Sequence, residues 1–578
     1  MTDIVSPHGG DLKQLVVEET RAEKLKSEST ELPDWDLSQR QMWDVEMLLN
    51  GGFSPLEGFM DRDDYNDVVK KSRLSDGTVW PMPITLDVSD EFVSNHMIDE
   101  GSRVALRSPE GIVIAILEVS DVWRPDREWE AEQVLGTTNE DHPAVDELFN
   151  QKNDVYVGGK LYGLELPSHH TYQQHRYTPK ETRDMFAKRG WTRVVGFQTR
   201  NPMHKVHCTL ARRAAKKAEA NLVIQPVVGS TKPGDIDHHT RVQCYKRVLE
   251  RFNEQTTELS LLPLSMRMAG PREALWHAII RQNYGCSHFS VGRDHAGCAD
   301  AEGNDFYGPY QAQEYVAEYE DELEIEVLTW EEHVYSEEKQ AYVPKSEAEE
   351  GAGFRYISGT ELRQKLRAGD PIPDWFSYPE VIDELRNLYP PRDEQGFTVF
   401  FTGLPSSGKS TVAKIVEAKL LEADDRPVTL LDGDIVRKNL SSELGFSKHD
   451  RDLNIQRIGF VAGEITKNRG AAICANIAPY EDVRRRVRDH ITEVGGFVLV
   501  HIATPVDVCK KRDRKGLYEK AEKGIVDNFT GINDPYEEPE DPELRIDTTD
   551  MKPEEAANRV LLHLQSEGFI GEFRGDGN

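Results

Sequence analysis

Cysteine is scarce in this sequence, and the few cysteines that occur are scattered. The chain has 578 residues and six cysteines, none of them in a C-x-x-C pair. This spacing indicates neither a disulfide framework nor a zinc ribbon. Scattered cysteines in a large chain are typical of a reducing cytosol, so we expect a cytoplasmic protein.

Long apolar runs and a surplus of basic residues are also lacking. No run reaches the ~18 residues that a membrane span needs, and the first residues do not resemble a signal peptide. The 70 lysines and arginines are outnumbered by 102 aspartates and glutamates, for a net charge of −32. This balance argues against binding to nucleic acid or to membranes. Anionic substrates must therefore be held in local basic pockets.

The length predicts three or four domains. Residues 1–170 contain short β-type runs, at 78–88 and 111–119, which predict a β-rich accessory domain. Strands alternate with helices over 171–328, which predicts a parallel, doubly wound α/β sheet. We expect a small third domain and a linker over 329–393, and a last α/β domain over 394–578.

The last domain opens with a phosphate-binding motif. Gly403-Leu-Pro-Ser-Ser-Gly-Lys-Ser-Thr411 lies between an apolar strand-like run and a helical pattern, the context in which G-x-x-x-x-G-K-[ST] is a P-loop. We predict that Lys409 reaches the β- and γ-phosphates of ATP and that Ser410 holds Mg²⁺. The other loop residues predicted to bind the nucleotide are Gly403, Ser406, Ser407, Gly408 and Thr411.

A second polar cluster lies in the α/β region. Residues 198–207 and 288–297 each join a strand to a polar turn, and both turns are expected at the carboxyl edge of one sheet. They supply cations and hydrogen-bond donors without a nucleophile, which suits stabilisation of an anionic transition state. Two alternatives for His204 and His207 are a zinc pair, which needs a third ligand, and a purely structural pair.

The segment Gln198-Thr-Arg-Asn-Pro-Met-His-Lys-Val-His207 resembles the Q-x-R-N-P-x-H-x-x-H signature of the ATP sulfurylases, or sulfate adenylyltransferases. Further similar segments follow in family order, at 229–237, 266–274, 292–297 and 357–363. The resemblance covers residues 1 to about 390. It implies a PUA-like N-terminal domain without RNA binding, a Rossmann-like nucleotidyltransferase domain and a small third domain.

The reaction implied by this resemblance joins sulfate to ATP, giving adenosine 5′-phosphosulfate (APS) and pyrophosphate by in-line attack at the α-phosphorus. Gln198 and Arg200 would bind sulfate, with help from the Ala296 N–H. His204 and His207 would stabilise charge on the leaving pyrophosphate. Thr199, Arg200 and Asn201 would carry the active-site positions. The residues implied to hold the nucleotide are Gly292, Arg293, Asp294, His295 and, through its backbone, Val334.

The last domain resembles APS kinase over about residues 396–570, through segments at 431–437, 446–457, 515–518, 529–532 and 534–537. That enzyme phosphorylates the 3′-hydroxyl of APS to give 3′-phosphoadenosine 5′-phosphosulfate (PAPS). The resemblance implies that Asp434 is the base or a Mg²⁺-linked acid. The implied APS-binding residues are Arg437, Arg451 and Asn454 at the phosphosulfate, Phe446 and Phe529 on the adenine, Ile477, and Lys515 in a lid.

Two departures from the kinase pattern leave an alternative open. Ala478 stands where the family has a serine, and Ile435 stands where kinases often have asparagine. The segment Ile477-Ala-Pro-Tyr480 is similar to fungal-type ATP sulfurylases, whose inactive kinase-like domain binds PAPS as an allosteric inhibitor. Because the P-loop and Asp432-Gly-Asp434 are intact, we favour an active kinase.

The sequence therefore predicts a PAPS synthase-type fusion that activates sulfate in two steps, with a non-enzymatic nucleotide-binding scaffold as the alternative class. The expected partners are ATP, sulfate, APS, PAPS and pyrophosphate, with Mg²⁺ as the cofactor of ATP. The resemblance implies an unfavourable first step, which a kinase that consumes APS would draw forward. It also implies a homo-oligomer, either a dimer or a hexamer.

Overall fold

The structure is a computed structural model that describes residues 4–232, 235–347, 354–423, 426–513, 516–526 and 528–571. The chain divides into two compact units. The first consists of Met1–Ser358 and Ile372–Leu385, and the second of Gly359–Pro371 and Arg386–Asn578. No helix in the described part of the chain combines the length and apolar composition that crossing a membrane requires.

A six-stranded sheet forms the N-terminal part of the first unit. Its strands are β1 (Asp34–Asp36), β2 (Gly58–Phe59), β3 (Leu86–Val88), β4 (Arg103–Arg107), β5 (Val113–Trp123) and β6 (Val155–Gly163). The order is β1-β4-β5-β6-β2, and β3 also pairs with β6. Only β1 and β4 run parallel. The surrounding helices are α1 (Glu19–Ser29), α2 (Gln39–Leu49), α3 (Arg62–Lys71), α4 (Asp90–His96), α5 (Arg127–Glu130) and α6 (Pro143–Asp146), with π-helical turns at Ala131–Leu135 and Glu147–Gln151.

The two β-type runs predicted in this region form strands only in part. Of residues 78–88, only Leu86–Val88 is a strand. Pro81 and Pro83 lack the N–H groups that a strand ladder needs, so the preceding residues are buried without pairing as a strand. The second run begins later than predicted, at Val113, and continues as β5 to Trp123.

The second sheet of this unit has the predicted parallel, doubly wound form. Its strands are β7 (Val194–Phe197), β8 (Asn221–Ile224), β9 (Thr257–Leu259), β10 (His288–Val291) and β11 (Glu326–Thr329), in the order β11-β10-β7-β8-β9. All four pairings are parallel. The helices are α7 (Pro179–Arg189), α8 (Lys205–Lys217), α9 (His238–Leu249), α10 (Gly270–Asn283) and α11 (Gln311–Ala317), with 3₁₀ turns at Gln173–His175 and Glu320–Glu322. Because α10 is buried on nearly every side, it forms the centre of this core.

A small antiparallel sheet follows, made of β12 (His333–Ser336), β13 (Ala341–Pro344) and β14 (Phe354–Arg355) in the order β13-β12-β14. A 3₁₀ turn lies at Lys345–Glu347, and two helices come next, α12 (Gly359–Ala368) and α13 (Pro379–Leu388). The predicted linker holds Pro390, Pro391 and a 3₁₀ turn at Arg392–Glu394. Neither α-helix nor strand continues through it, as consecutive prolines predict.

The second unit contains a third sheet, which is also fully parallel. Its strands are β15 (Phe397–Thr402), β16 (Val428–Asp432), β17 (Ala471–Ala475), β18 (Gly496–Ile502) and β19 (Leu544–Ile546), in the order β16-β17-β15-β18-β19. The helices are α14 (Lys409–Ala423), α15 (Gly433–Asn439), α16 (Lys448–Lys467), α17 (Glu481–Thr492), α18 (Val506–Arg512), α19 (Leu517–Glu522) and α20 (Pro553–Ser566). The central strands are buried along their whole length, which explains their apolar sequences.

Candidate active sites

The first site forms where β7 and β10 end side by side. The register pairs Ser290 with Phe197, so the segments that begin at Gln198 and Gly292 leave the same edge of the sheet. This is the juxtaposition that the two strand-to-turn patterns predict.

Arg200 is the side chain that joins the two segments. Its Nη2 donates to the Gly297 carbonyl at 3.3 Å, and its Nη1 lies 3.0 Å from the Met268 sulfur. A carboxylate oxygen of Asp235 lies 3.8 Å from Nη1 and has no hydrogen-bond partner among the described residues. The guanidinium is thus largely buried with only a loose counter-charge, which makes the site locally cationic in an acidic protein.

Helix α9 fixes the backbone around Arg200. Tyr245 donates its hydroxyl to the carbonyls of Thr199 at 3.1 Å and Asn201 at 2.8 Å. The Nη1 of Arg241 donates to the Arg200 carbonyl at 2.8 Å. The sequence prediction missed Tyr245 and Arg241, since α9 carries no recognisable motif and its position against the turn is a tertiary feature.

His204 and His207 lie at the start of α8. The backbone N–H of His204 donates to Nδ1 of His207 at 3.1 Å, which leaves the proton of the neutral His207 ring on Nε2. His204 Nδ1 shares a 2.9 Å hydrogen bond with the Ser377 hydroxyl, and the Phe376 ring packs on His204 at 4.5 Å. Ser377 and Phe376 were not predicted, because they come from a distant segment without a motif.

Burial determines the charge of these two histidines. It lowers the pKa of His204 to about 3, helped by repulsion from His207, and lowers the pKa of His207 to about 4. Both rings are therefore neutral near pH 7. In the described part of the chain, no group of three or more histidine, cysteine or acidic side chains is placed to hold a metal.

His295 is linked to two buried side chains of α10. Its Nε2 lies 3.0 Å from Nδ1 of His277, whose Nε2 lies 3.3 Å from a Glu273 oxygen. Glu273 also accepts the backbone N–H groups of Arg267 at 3.0 Å and Ala269 at 2.9 Å. Burial lowers the pKa of both histidines, so the rings are neutral. The 3.3 Å approach of the Glu273 carboxylate favours the His277 tautomer with its proton on Nε2, although the geometry there does not form a hydrogen bond. In that tautomer His277 Nδ1 accepts from His295 Nε2, so His295 presents Nδ1 as an acceptor.

The turn that carries His295 is conformationally strained. Asp294 and Ala296 adopt left-handed backbone angles, with φ of 53° and 54°, and nearby Met268 has φ of 57°. The Gly270 N–H donates to the Ala296 carbonyl at 3.1 Å, which ties the turn to α10. Non-glycine residues in this region persist only where their surroundings hold them, and they concentrate at functional sites.

The remaining predicted residues of the first site lie around this turn or on the small sheet. Gln198 follows β7 directly and has a buried side-chain oxygen without a partner in the described ranges. Arg293 is partly exposed and pairs with Asp294 at 3.0 Å. Val334 is buried in β12, where it pairs with Val343. The Glu273–His277 pair was missed, although residues 266–274 had been singled out by resemblance.

The second site is a cavity of about 890 Å³ at the carboxyl edge of the third sheet. It brings together most of the predicted kinase residues, namely Ser406, Gly408, Lys409, Ser410, Thr411, Arg437, Phe446, Arg451, Asn454, Ile477 and Phe529. Gly403 and Ser407 belong to the loop but do not line the cavity. Lys515 and the side chain of Asp434 lie outside the described residues.

Lys409 lies folded into the P-loop. Its Nζ donates to the carbonyls of Gly403 at 2.9 Å and Leu404 at 2.7 Å, and lies 3.4 Å from the Ser407 hydroxyl. Burial lowers its pKa to about 8. Gly403 permits this tight loop, since a Cβ there would lie 2.5 Å from the Ile502 carbonyl oxygen. The loop itself thus accepts the hydrogen bonds of the Lys409 ammonium group. A bound phosphate must replace these hydrogen bonds with its own oxygens.

Three side chains that the sequence prediction missed hold the P-loop by hydrogen bonds to its backbone. Thr504, Thr548 and Arg512 all donate to the Ser407 carbonyl, at 3.1, 2.9 and 3.3 Å. No motif marks them, because they come from the ends of β18 and β19 and from α18. They hold the Ser407 carbonyl away from the cavity.

The predicted APS-binding arginines have partners within the protein. Arg451 donates through Nη1 to Thr530 at 2.7 Å and to Asp534 at 2.8 Å. Arg437 donates to the carbonyls of residues 444 and 445 and packs on the Phe446 ring at 4.4 Å. Phe529 packs edge-on against Tyr518 at 4.9 Å. Thus Arg451 anchors the segment that carries Phe529 as well as facing the cavity.

Ala478 stands where the kinase family has a serine, and hydrogen bonds to backbone carbonyls hold the turn at this position. Ala478 is buried with φ of 43°, and its carbonyl accepts from Arg484 Nη1 at 2.6 Å. The preceding Ile477 carbonyl accepts from the Thr402 hydroxyl at 2.6 Å. The turn therefore keeps its shape without a serine hydroxyl.

Oxygen ligands suited to Mg²⁺ lie in the same cavity. Ser410, just inside α14, and Asp432, at the end of β16, both line it. A hydroxyl and a carboxylate are ligands that Mg²⁺ prefers, together with water and phosphate oxygens. These two residues fit the predicted cofactor.

Two such sites on parallel α/β sheets define a nucleotide-dependent transferase that carries both a nucleotidyltransferase-type site and a P-loop kinase site. Three family models match the chain: PUA-like domain over residues 5–166, ATP-sulfurylase over 173–388 and adenylylsulphate kinase over 395–547. The chain belongs to the ATP-sulfurylase family and carries an adenylylsulphate kinase domain after the sulfurylase region.

Known relatives cover nearly the whole chain. The sulfate adenylyltransferase of Neurospora crassa is 49% identical over 570 residues, covering 98% of this chain and 99% of the relative. That of Aspergillus fumigatus is 49% identical over 568 residues, with the same coverage. A solved structure described as a hexameric APS kinase from Thiobacillus denitrificans is 39% identical, covers 98% of this chain and 100% of its own, and has a TM-score of 0.81.

These matches confirm the predicted family, fold class and pair of enzyme activities. Neither they nor the described residues favour the alternative of an inactive kinase-like domain. The predicted domain bounds and the roles of individual site residues stay predictions.

Proposed function

We propose that the first unit transfers the adenylyl group of ATP to sulfate and that the P-loop domain phosphorylates the 3′-hydroxyl of the resulting APS. The observation that carries this proposal is the pairing, on one chain, of the cationic Arg200 site with the P-loop cavity. The overall product is PAPS, with pyrophosphate and ADP released.

In the first step, Gln198 and Arg200 bind sulfate, with the Ala296 N–H as a further donor. A sulfate oxygen attacks the α-phosphorus in line, and pyrophosphate leaves without a covalent enzyme intermediate. His204 and His207 act on the leaving group as neutral donors, because positioned donors stabilise developing charge in a site that excludes water. Thr199 and Asn201 hold the turn around Arg200.

The nucleotide of the first step lies along the strained turn, against Gly292, Arg293, Asp294 and His295, and beside the Val334 backbone. Because His295 presents Nδ1 as an acceptor, it faces an amino or hydroxyl group of the nucleotide rather than a phosphate. The Glu273–His277 pair keeps this orientation.

In the second step, Lys409 exchanges its loop carbonyls for the β- and γ-phosphate oxygens of ATP, while the other loop residues surround the phosphates. Asp434 orients the 3′-hydroxyl of APS and accepts its proton. The remaining contacts to APS come from Arg437, Arg451, Asn454, Ile477, Lys515, Phe446 and Phe529. Phosphoryl transfer depends mainly on such positioning and on charge neutralisation. Ser410 and Asp432 would hold Mg²⁺, which neutralises charge on the phosphates when bound.

The kinase assignment is tested by supplying the purified chain with APS, ATP and Mg²⁺ and measuring PAPS and ADP. We expect product from the wild type over a range of APS concentrations and none from Lys409→Ala. An absence of product from the wild type, together with inhibition of APS formation by added PAPS, would instead support the regulatory alternative.

The sulfurylase assignment is tested with Arg200→Ala and His204→Ala. Loss of one positioned donor costs on the order of a hundredfold or more in turnover, so we expect APS formation to be nearly abolished while ATP still binds. Near-normal turnover by either purified variant contradicts the assignment. Pyrophosphate release with molybdate in place of sulfate distinguishes an enzyme from a scaffold.

The proposal extends to assembly and compartment. A solved structure that covers 98% of this chain is described as hexameric, which supports a homo-oligomer, either a dimer or a hexamer. We propose a cytoplasmic location because the cysteines are free and buried. Light scattering of the purified chain measures the oligomeric state.

A further inference from the structure

Asn476 occupies a central place in the kinase site that the sequence did not single out. It directly follows β17, the strand between β15 and β16. The register pairs Ala475 with Phe401 on one side and with Asp432 on the other. Asn476 therefore lies between Thr402, which leads into the P-loop, and Gly433, which begins α15, the helix that carries the predicted base. In the proposed reaction, a phosphoryl donor held by the P-loop and an acceptor hydroxyl facing the predicted base would meet next to this position.

The Asn476 side chain is buried and lines the cavity, with only 4% of the residue exposed. Neither its Oδ1 nor its Nδ2 has a hydrogen-bond partner among the described residues. A Cβ on Gly433 would lie 3.0 Å from Oδ1, so the amide lies directly against the backbone at the start of α15. A buried amide with both ends unpaired is costly, and a ligand that pairs both ends recovers the cost.

The chemistry of the amide restricts the ligand. Phosphate or sulfate oxygens would pair only with the N–H groups, and a metal ion only with Oδ1. A pair of neighbouring hydroxyls satisfies both ends, because one donates to Oδ1 while the other accepts from Nδ2. Within the substrates of the proposed reaction, the riboses of ATP and APS both carry such a pair, and the ribose of APS is the one whose 3′-hydroxyl must face the predicted base next to Gly433.

We propose that Asn476 binds the ribose diol of APS and thereby orients the 3′-hydroxyl toward the P-loop. Oδ1 accepts a hydrogen bond from one hydroxyl, and Nδ2 donates a hydrogen bond to the oxygen of the other. This inference rests on the proposed kinase function and adds a specificity-determining residue to that site. It predicts that Asn476 discriminates APS from an analogue that lacks one of the two hydroxyls.

The test compares APS with 2′-deoxy-APS, which keeps the reacting 3′-hydroxyl. ADP release is measured with the full chain, ATP and Mg²⁺. Since an unpaired buried polar group costs about one tenfold step in affinity or more, we expect kcat/KM of the wild type to fall at least tenfold on 2′-deoxy-APS. Asn476→Ala should lower kcat/KM for APS by a similar factor. In this variant the kcat/KM for APS divided by the kcat/KM for 2′-deoxy-APS should fall close to one.

Two further variants separate ligand binding from a structural role. Asn454→Ala removes another buried amide of the cavity, which is expected at the phosphosulfate. It should lower kcat/KM for both APS and 2′-deoxy-APS and leave the ratio of the two values as in the wild type. Asn476→Leu has a similar volume and should leave the Tm of the free protein unchanged or raised, since it removes an unpaired amide. A lowered Tm with an unchanged ratio overturns the inference.

The outcomes also distinguish the role of Asn476 from the kinase activity on which it rests. Failure of the wild type to phosphorylate APS overturns both. Phosphorylation by the wild type, with the same substrate ratio in Asn476→Ala, overturns the inference alone. A changed Mg²⁺ requirement with an unchanged ratio would assign Asn476 to the metal and overturn it as well.

Discussion

His204, His207 and Lys409 are ionisable side chains that the protein removes wholly or in part from water. Burial favours the uncharged form of each, and among the residues that the structure describes no carboxylate acts strongly enough on them to offset it. The two histidines are neutral near pH 7, and Lys409 loses its proton more easily than a lysine in water. Both conditions have consequences for the pH dependence of the two reactions.

APS formation should show no histidine titration near neutral pH. With pKa values of about 3 and 4, His204 and His207 are already neutral donors throughout the range from about pH 5.5 to 8, where an exposed histidine would lose its proton. We therefore expect kcat/KM for sulfate at saturating Mg²⁺ and ATP to stay level over that range. A decline with a midpoint near pH 6.5, absent from His204→Gln, would mean that the charged ring is the active form.

ATP binding at the kinase site should weaken as the pH rises above 8. Lys409 has a pKa of about 8 in the free protein, and the anionic phosphates raise this pKa because they favour the ammonium form. Above pH 8 the site must therefore take up a proton on binding, so KM for ATP in PAPS formation should rise up to about tenfold per pH unit. Lys409→Arg stays protonated and should remove this slope. A KM that is level in the wild type from pH 8 to 9.5 contradicts the prediction.

At the scale of elements, one segment closes the edge of the kinase cavity. Residues 528–534 carry Phe529 and Thr530 over the cavity, and Asp534 fixes them to two helices. Asp534 accepts from Arg451 of α16 at 2.8 Å and from the hydroxyl of Tyr480, which precedes α17, at 3.0 Å. The segment is thus held by a partly buried ion pair rather than by a strand or helix of its own.

Asp534→Asn should loosen this segment without unfolding the domain. Loss of the carboxylate leaves Arg451 without its counter-charge, at a cost of roughly 2 kcal/mol for a charged hydrogen bond. We expect faster amide hydrogen exchange over residues 528–534 and a several-fold higher KM for APS. Tyr480→Phe removes only a hydroxyl bond and should show a smaller effect. Unchanged exchange in Asp534→Asn would mean that backbone turns alone hold the segment.

At the scale of the whole molecule, the two reactions share a chain with a net charge of −32. Both reactions have anionic substrates, and at each site cations and hydrogen-bond donors lie where strands end. The reactions are chemically coupled, because the second consumes the product of the first. The overall conversion of sulfate to PAPS therefore needs both sites, although each site catalyses its own reaction independently.

Pyrophosphate release should depend on an intact kinase site. The first step is expected to be unfavourable, so APS stays scarce unless it is consumed. With sulfate, ATP and Mg²⁺ but no pyrophosphatase, we expect continuous pyrophosphate release from the wild type and an early halt in Lys409→Ala. Addition of wild-type protein to the halted reaction should restart it. Equal release by both proteins would show that the kinase does not draw the first step forward.

The sequence by itself determined the family, the parallel sheets and most of the kinase cavity. This was possible because P-loop chemistry needs fixed residue types at fixed spacing, and because buried parallel strands need apolar runs that can be recognised locally. The same holds for residues 198–207 and 292–297, each of which is one continuous segment after a strand. The β-type pattern failed to predict the strand correctly where prolines interrupt strand pairing, as in residues 78–85.

Only the tertiary structure decided what surrounds those motifs. Ser377 beside His204, His277 beside His295, Tyr245 under Arg200 and Asp534 beside Arg451 come from segments 18 to 173 residues away. The charge states of His204, His207 and Lys409 depend on how much water these neighbours exclude, which no local pattern encodes. The same applies to Asn476, whose unpaired amide becomes visible only when three strand ends meet.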